Sequence, residues 1–170
     1  MVSMSKKDGT LLIDVPQGGA SITTIKLTPK LPKAGQAQVW TMDDVTTEKV
    51  EKFSNVVVAF DENSLPDQVR YERAILVVHL SEKAQKQKGY WSFAFDGLQY
   101  VPSKEDDLHN IETQVSRDGQ VLTLTIHNFG LNSEDVDFSF VAMYRDNQSG
   151  ECSIYASADP GIRVGRPPGP

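Results

Sequence analysis

Hydrophobic and polar residues alternate most regularly between residues 111 and 126, on either side of an Asp118-Gly119 pair. Asp-Gly suits the positive backbone angles of a two-residue type I′ turn. Such a turn pairs Arg117 with Gln120, and then Val115 with Leu122, Thr113 with Leu124 and Ile111 with Ile126. The apolar residues of both strands then fall on one face, while Glu112, Gln114 and Ser116 meet Val121, Thr123 and Thr125 on the other. A slip of one residue would turn each apolar set to the wrong side, so turn chemistry and alternation specify the same hairpin.

A second hairpin follows. Phe138, Phe140, Ala142 and Tyr144 alternate with Ser139, Val141 and Met143, and residues 146–150 supply the turn. On the return strand Cys152, Ile154, Ala156 and Ala158 alternate with Ser153, Tyr155 and Ser157. Long aromatics facing Cys and Ala suit close packing against an opposing sheet, which predicts that the Cys152–Ile154 face is core.

The same alternation predicts earlier strands near residues 11–15, 21–28, 36–42, 55–60, 71–80 and 90–95. Breakers separate them at Pro16 to Gly19, Pro29 to Pro32, Asp61 to Pro66, Gly89, Asp96-Gly97 and Gly130 to Asp135. Helix signals are confined to 42–53, where Asp43 or Asp44 would cap, and to 81–88. Ala158-Asp159-Pro160-Gly161 should interrupt the last strand, with Ile162 and Val164 resuming pairing at an edge. The expected fold is an all-β, immunoglobulin-like antiparallel sandwich of about 8 to 10 short strands with one or two helical turns. It occupies residues 10–164, between an N-terminal arm (1–9) and a Pro/Gly-rich tail (165–170).

Composition narrows the function more than it identifies one. A chain of 170 residues buries about 70% of its unfolded surface as one domain and needs no staple of metal or disulfide. The net charge of −6, with no basic block, argues against nucleic acid, which requires clustered Lys and Arg. Cys152 is the single cysteine and reads as a small buried residue. The N-terminal stretch lacks the apolar run of about 7 to 15 residues that a signal peptide carries, and no segment reaches the roughly 18 of a membrane span. A soluble, cytoplasmic protein is expected.

Candidate chemistry is sparse. There is no Gly-x-Ser-x-Gly elbow, no histidine pair on a helix and no phosphate-binding glycine loop, so no catalytic residue and no cofactor is predicted. His79 and His127 sit in strands among polar neighbours. Glu105, Asp106, Asp107 and His109 form the densest group of metal-ligand types, a candidate calcium loop that lacks the EF-hand pattern and reads better as a solvated acidic loop. Trp40 and Tyr90, with Tyr71 and Trp91, are candidates for stacking against a sugar; Trp91 alternates with Phe93 and Phe95 and is expected in the core.

The strand Trp91-x-Phe93, the turn Ser116 to Gly119, the strand Phe138-Ser139-Phe140 and the closing Ser157-Ala158-Asp159-Pro160-Gly161-Ile162 resemble the DP-EP family of small bacterial proteins. The resemblance covers about the last eighty residues. It implies a sandwich-like fold and supplies no activity, the family's function being uncharacterised. The reading that follows is a non-enzymatic structural or interaction protein, a homo-oligomer or one with a protein partner. It would assemble through strand edges or terminal arms, with Asp159, Pro160, Arg163 and Arg166 as contact residues. The alternative is a ligand-binding module, carbohydrate-binding and calcium-assisted.

Overall fold

A computed structural model describes residues 2–5, 9–45, 52–85, 88–101, 111–128, 135–158 and 162–165. The strands are β1 (Val2–Ser5), β2 (Thr10–Val15), β3 (Ala20–Thr28), β4 (Thr41–Asp44), β5 (Lys52–Phe53), β6 (Asn55–Phe60), β7 (Arg73–Leu80), β8 (Gly89–Val101), β9 (Ile111–Val115), β10 (Val121–His127), β11 (Asp135–Asp146), β12 (Cys152–Ala156) and β13 (Ile162–Gly165). Two single-turn helices, α1 (Pro66–Val69) and α2 (Glu82–Gln85), lie either side of β7 in the chain.

These strands form two sheets. Sheet I runs β1-β2-β6-β13-β11-β12, with β8 on the other side of β11; sheet II runs β5-β4-β3-β7-β10-β9. Each sheet turns alternate residues inward, and one core unites them. Leu11, Ile13, Val56, Val58, Phe138 and Phe140 of sheet I meet Ile25, Leu27, Leu76, Val78, Leu122 and Leu124 of sheet II. The all-β sandwich is as the alternation predicts. Three of its pairs are parallel rather than antiparallel: β2 with β6, β13 with β6, and β3 with β7. The run Val56-Val57-Val58-Ala59-Phe60, apolar on both faces, suits a strand that has parallel neighbours on each side.

The first hairpin has the predicted register, from Val115 opposite Leu122 to Ile111 opposite Ile126. Its turn differs. A type I′ turn needs positive φ at both central residues, and only Gly119 has it, at +74°. Asp118 instead accepts hydrogen bonds from the Ser116 hydroxyl at 2.6 Å and the Gln120 N–H at 3.1 Å, and these hold its carboxyl below the usual range. Asp146 closes the second hairpin in the same way, with the Ser149 and Gln148 N–H groups lowering its pKa.

Several boundaries move. Residues 36–40 are not a strand; Gln36 makes only an isolated bridge to Lys33, and β4 begins at Thr41. Where a helix was predicted over 42–53, the ends are strands β4 and β5, and 46–51 lie outside the described residues. The Asp96-Gly97 breaker does not end a strand. β8 continues through it by a bulge that sets residues 94–97 against Val141 alone, between the Ala142–Phe93 and Phe140–Leu98 pairs. Phe95 sits in that bulge at φ +52° and is 80% exposed, so it does not continue the inward phase of Trp91 and Phe93. A non-glycine residue in this region is strained by about 1 kcal/mol or more. Phe95→Asn, which tolerates that φ, should therefore raise the urea midpoint by the equivalent of up to about 1 kcal/mol. A lower midpoint would show that the ring supports the fold.

The ends of the chain also differ from expectation. Val2–Ser5, within the stretch read as an arm, pairs with Thr10–Ile13 as an edge strand of sheet I. β13 is not at an edge, because β11 flanks it on one side and β6 on the other.

Candidate interaction surfaces

The predicted site residues are not brought together. Trp40 is 2% exposed, its indole N–H donates to the Lys30 carbonyl at 3.1 Å, and its ring meets Trp91 edge-on at 5.6 Å. It belongs to an aromatic core group with Trp91, Tyr144 and Tyr155 and offers no stacking surface. Burial, with the nearby Asp146 and Tyr155, pushes the Tyr144 pKa up. Tyr90 does face outward, as expected, and its hydroxyl accepts a hydrogen bond from the Gln120 amide at 2.7 Å. Glu105, Asp106, Asp107, His109, Asp159, Pro160 and Arg166 lie outside the described residues. Arg163 falls on β13, opposite Asp137 on one side and Val57 on the other.

Cys152 is exposed rather than core. The register explains it: Ala142, which faces the core, is opposite Tyr155, while Ile154 is opposite the outward Met143 and Cys152 opposite the exposed Arg145. Residues directly opposite on adjacent strands share a face, so Tyr155 and Ser157 take the inward positions. His79 and His127 are partly exposed on sheet II, and His127 lies 3.7 Å from Glu112. Among the described residues, no group of three or more His, Cys, Asp or Glu could hold a metal ion. No described helix is long and apolar enough to cross a membrane.

Glu72 is the buried acid that sequence reasoning missed. It is in phase with the core positions Ala74, Leu76 and Val78, which is the signal that marks it, and it is fully buried. Its carboxylate accepts from the Gly18 N–H at 3.0 Å, the Ser64 hydroxyl at 2.5 Å and the Asn128 amide at 2.8 Å. The turn after β2, the segment before α1 and the end of β10 are thereby joined at one end of the sandwich. None of these partners is a cation, and the geometry is that of a structural clasp.

One strand edge is closed by two glutamine side chains and a backbone carbonyl. The Trp91 carbonyl of β8 accepts from the Gln85 amide at 3.1 Å and the Gln120 amide at 2.9 Å, and the Phe93 N–H donates to the Gly119 carbonyl at 2.8 Å. Gln85 also donates to Gln120 at 2.8 Å. These groups point away from β11 and occupy the positions that an added strand would use, which protects the edge.

The outer faces of the two sheets differ. On sheet I, Ala59, Ser139 and Val141 alternate with core residues yet are themselves buried. On sheet II the outward residues stay partly open and form an in-register grid. Ile22, Ile75, Thr125 and Glu112 lie in one row across β3, β7, β10 and β9. Thr24, Val77, Thr123 and Gln114 form the next, and Asp43, Lys26, His79 and Val121 the third. Ile22 is 67% exposed, and Val45, whose N–H donates to the Thr24 carbonyl, is 48% exposed. Ile22, Ile75 and Val77 adjoin one another among threonines and charged residues, and an exposed apolar cluster commonly marks a contact site.

The fold and its surfaces define an all-β sandwich with exposed apolar residues on the outer face of one sheet. The chain belongs to the DP-EP family, whose family model matches residues 23–166. The match extends well beyond the last eighty residues that carry the resemblance in the sequence, and takes in every strand from within β3 to β13. No curated protein matches the chain.

Proposed function

We propose that this protein is a non-catalytic binding module that docks a protein partner on the outer face of sheet II. The supporting observation is the cluster of Ile22, Ile75 and Val77, with Thr24 and Val121 beside it, partly open to solvent and most exposed at Ile22. Assembly through the edge of β8 or through β13 draws less support. The edge of β8 is occupied by Gln85, Gln120 and Gly119, and β13, which carries Arg163, is an interior strand. A carbohydrate platform also has little behind it, since Trp40 is enclosed and Tyr90 stands without it.

Hydroxyl-radical footprinting tests the reading. In a concentrated lysate of the source cells, Ile22 and Val45 should be labelled several-fold less than in dilute purified protein. Leu65, 63% exposed on the segment before α1, should be labelled alike in both. Equal labelling of Ile22 and Val45 in the two conditions would refute a partner on this face.

A further inference from the structure

We infer that the partner for the sheet II face is a second copy of this chain, packed sheet on sheet in a weak, closed dimer. The inference rests on the reading of that face as the contact surface, and three observations select the occupant.

The first is charge. The chain carries −6, so two copies repel at most orientations. The described charged rim of this face is balanced: Lys26 and Arg73 stand against Asp43 and Glu112. A face that serves a strongly charged partner would be expected to carry one sign. A balanced face is where two copies of an acidic chain can approach without concentrating like charge.

The second is side-chain type. The central positions are Ile22, Ile75, Val77, Val121, Thr24, Thr123 and Thr125, all β-branched. Such side chains have restricted χ1 and lose little rotamer freedom on burial. Two identical faces of this kind can interdigitate as the inner faces of a sandwich do, with about 10 Å between sheets.

The third is area. β7 spans eight residues, and five strands (β4, β3, β7, β10 and β9) present the grid. At about 3.3 Å per residue and about 4.8 Å per strand, the face measures roughly 26 by 19 Å, or about 500 Å². Two copies would bury on the order of 1,000 Å², the lower end of specific interfaces, which predicts a dimer that forms and dissociates with concentration.

Sedimentation velocity of the purified full chain, from low-micromolar to sub-millimolar concentration, provides the test. The wild-type mass should rise toward twice the monomer. Ile22→Lys should abolish that rise, and Thr24→Lys gives an independent second probe of the same grid should the first variant misfold. Ile154→Lys, a change at a 51% exposed position on sheet I, should leave the rise intact. A wild type that stays monomeric throughout overturns the second-copy assignment, while protection of Ile22 in the lysate would still support a different protein on the face. A rise that survives both sheet II variants, or growth beyond two copies, overturns the assignment in favour of association elsewhere on the surface.

Discussion

Glu72→Ala should lower the unfolding free energy by about 3 kcal/mol, the scale of leaving the buried Asn128 amide and the less buried Ser64 hydroxyl and Gly18 N–H without their acceptor. At roughly 2 to 4 °C per kcal/mol for a chain of this size, the thermal midpoint should fall by about 10 °C. The donors that remain after truncation set the cost. Gly18 N–H, the Ser64 hydroxyl and the Asn128 amide all donate to this carboxylate, and Asn128 is itself 4% exposed. Removing the acceptor strands three donors from three separate segments at once, and the backbone bonds from Asn128 N–H to the Glu72 carbonyl and from Arg73 N–H to Gly19 are left to hold that end together. Glu72→Gln is expected to cost about half as much, because one amide oxygen still accepts and the Asn128 side chain can turn to present its carbonyl to the new N–H group. Chemical denaturation of the three proteins decides the matter. A Glu72→Ala variant within about 1 kcal/mol of wild type would show that water replaces the carboxylate and that the clasp is not structural.

What could be read from the sequence follows the range over which each signal acts. The register of the β9–β10 hairpin is local: two alternating runs and a short turn leave one pairing that puts Leu122, Leu124 and Ile126 on the core side, and that pairing forms. The β11 phase was equally legible, with Phe138, Phe140, Ala142 and Tyr144 all buried. β12 was not, because Cys152, Ile154 and Ala156 are as apolar as Tyr155, and only pairing with β11 decides which set faces in. Trp40 illustrates a non-local limit. Its neighbours Val39 and Thr41 leave its direction open, and its burial depends on Trp91, fifty-one residues along the chain. The same holds for β13: nothing near Ile162 and Val164 specifies that they enter between β6 and β11, although their apolar alternation matches a strand covered on its inner face. The sheet II surface was visible as Thr, Val and Ile residues on predicted strands, but their union into one grid needs the β3–β7 and β7–β10 registers, which no local pattern encodes.

Asp96-Gly97 reads as punctuation because both residues favour turns, yet the chain uses the pair to bend one long strand. Gly97 has φ +80°, and a Cβ built there would lie 2.7 Å from Leu122 Cδ1 and 2.9 Å from its Cδ2. Leu122 is fully buried and paired on both sides, with Val78 and Val115, so it has little room to retreat. Gly97→Ala should therefore combine left-handed strain of about 1 to 2 kcal/mol with an overpacking cost of about 1 to 3, for a total near 3 kcal/mol. Gly35→Ala separates the two contributions. Gly35 has nearly the same backbone angle, φ +78°, with nothing within 4 Å of the added Cβ, so it should lose only the conformational part, about 1 to 2 kcal/mol. Urea midpoints of the two variants should consequently differ, with Gly97→Ala the less stable. Adding Leu122→Val to Gly97→Ala should recover part of the difference by freeing the space the new methyl needs. Equal losses at the two glycines would mean that the bulge relaxes away from Leu122, and that its close approach to sheet II is not what fixes the path of β8.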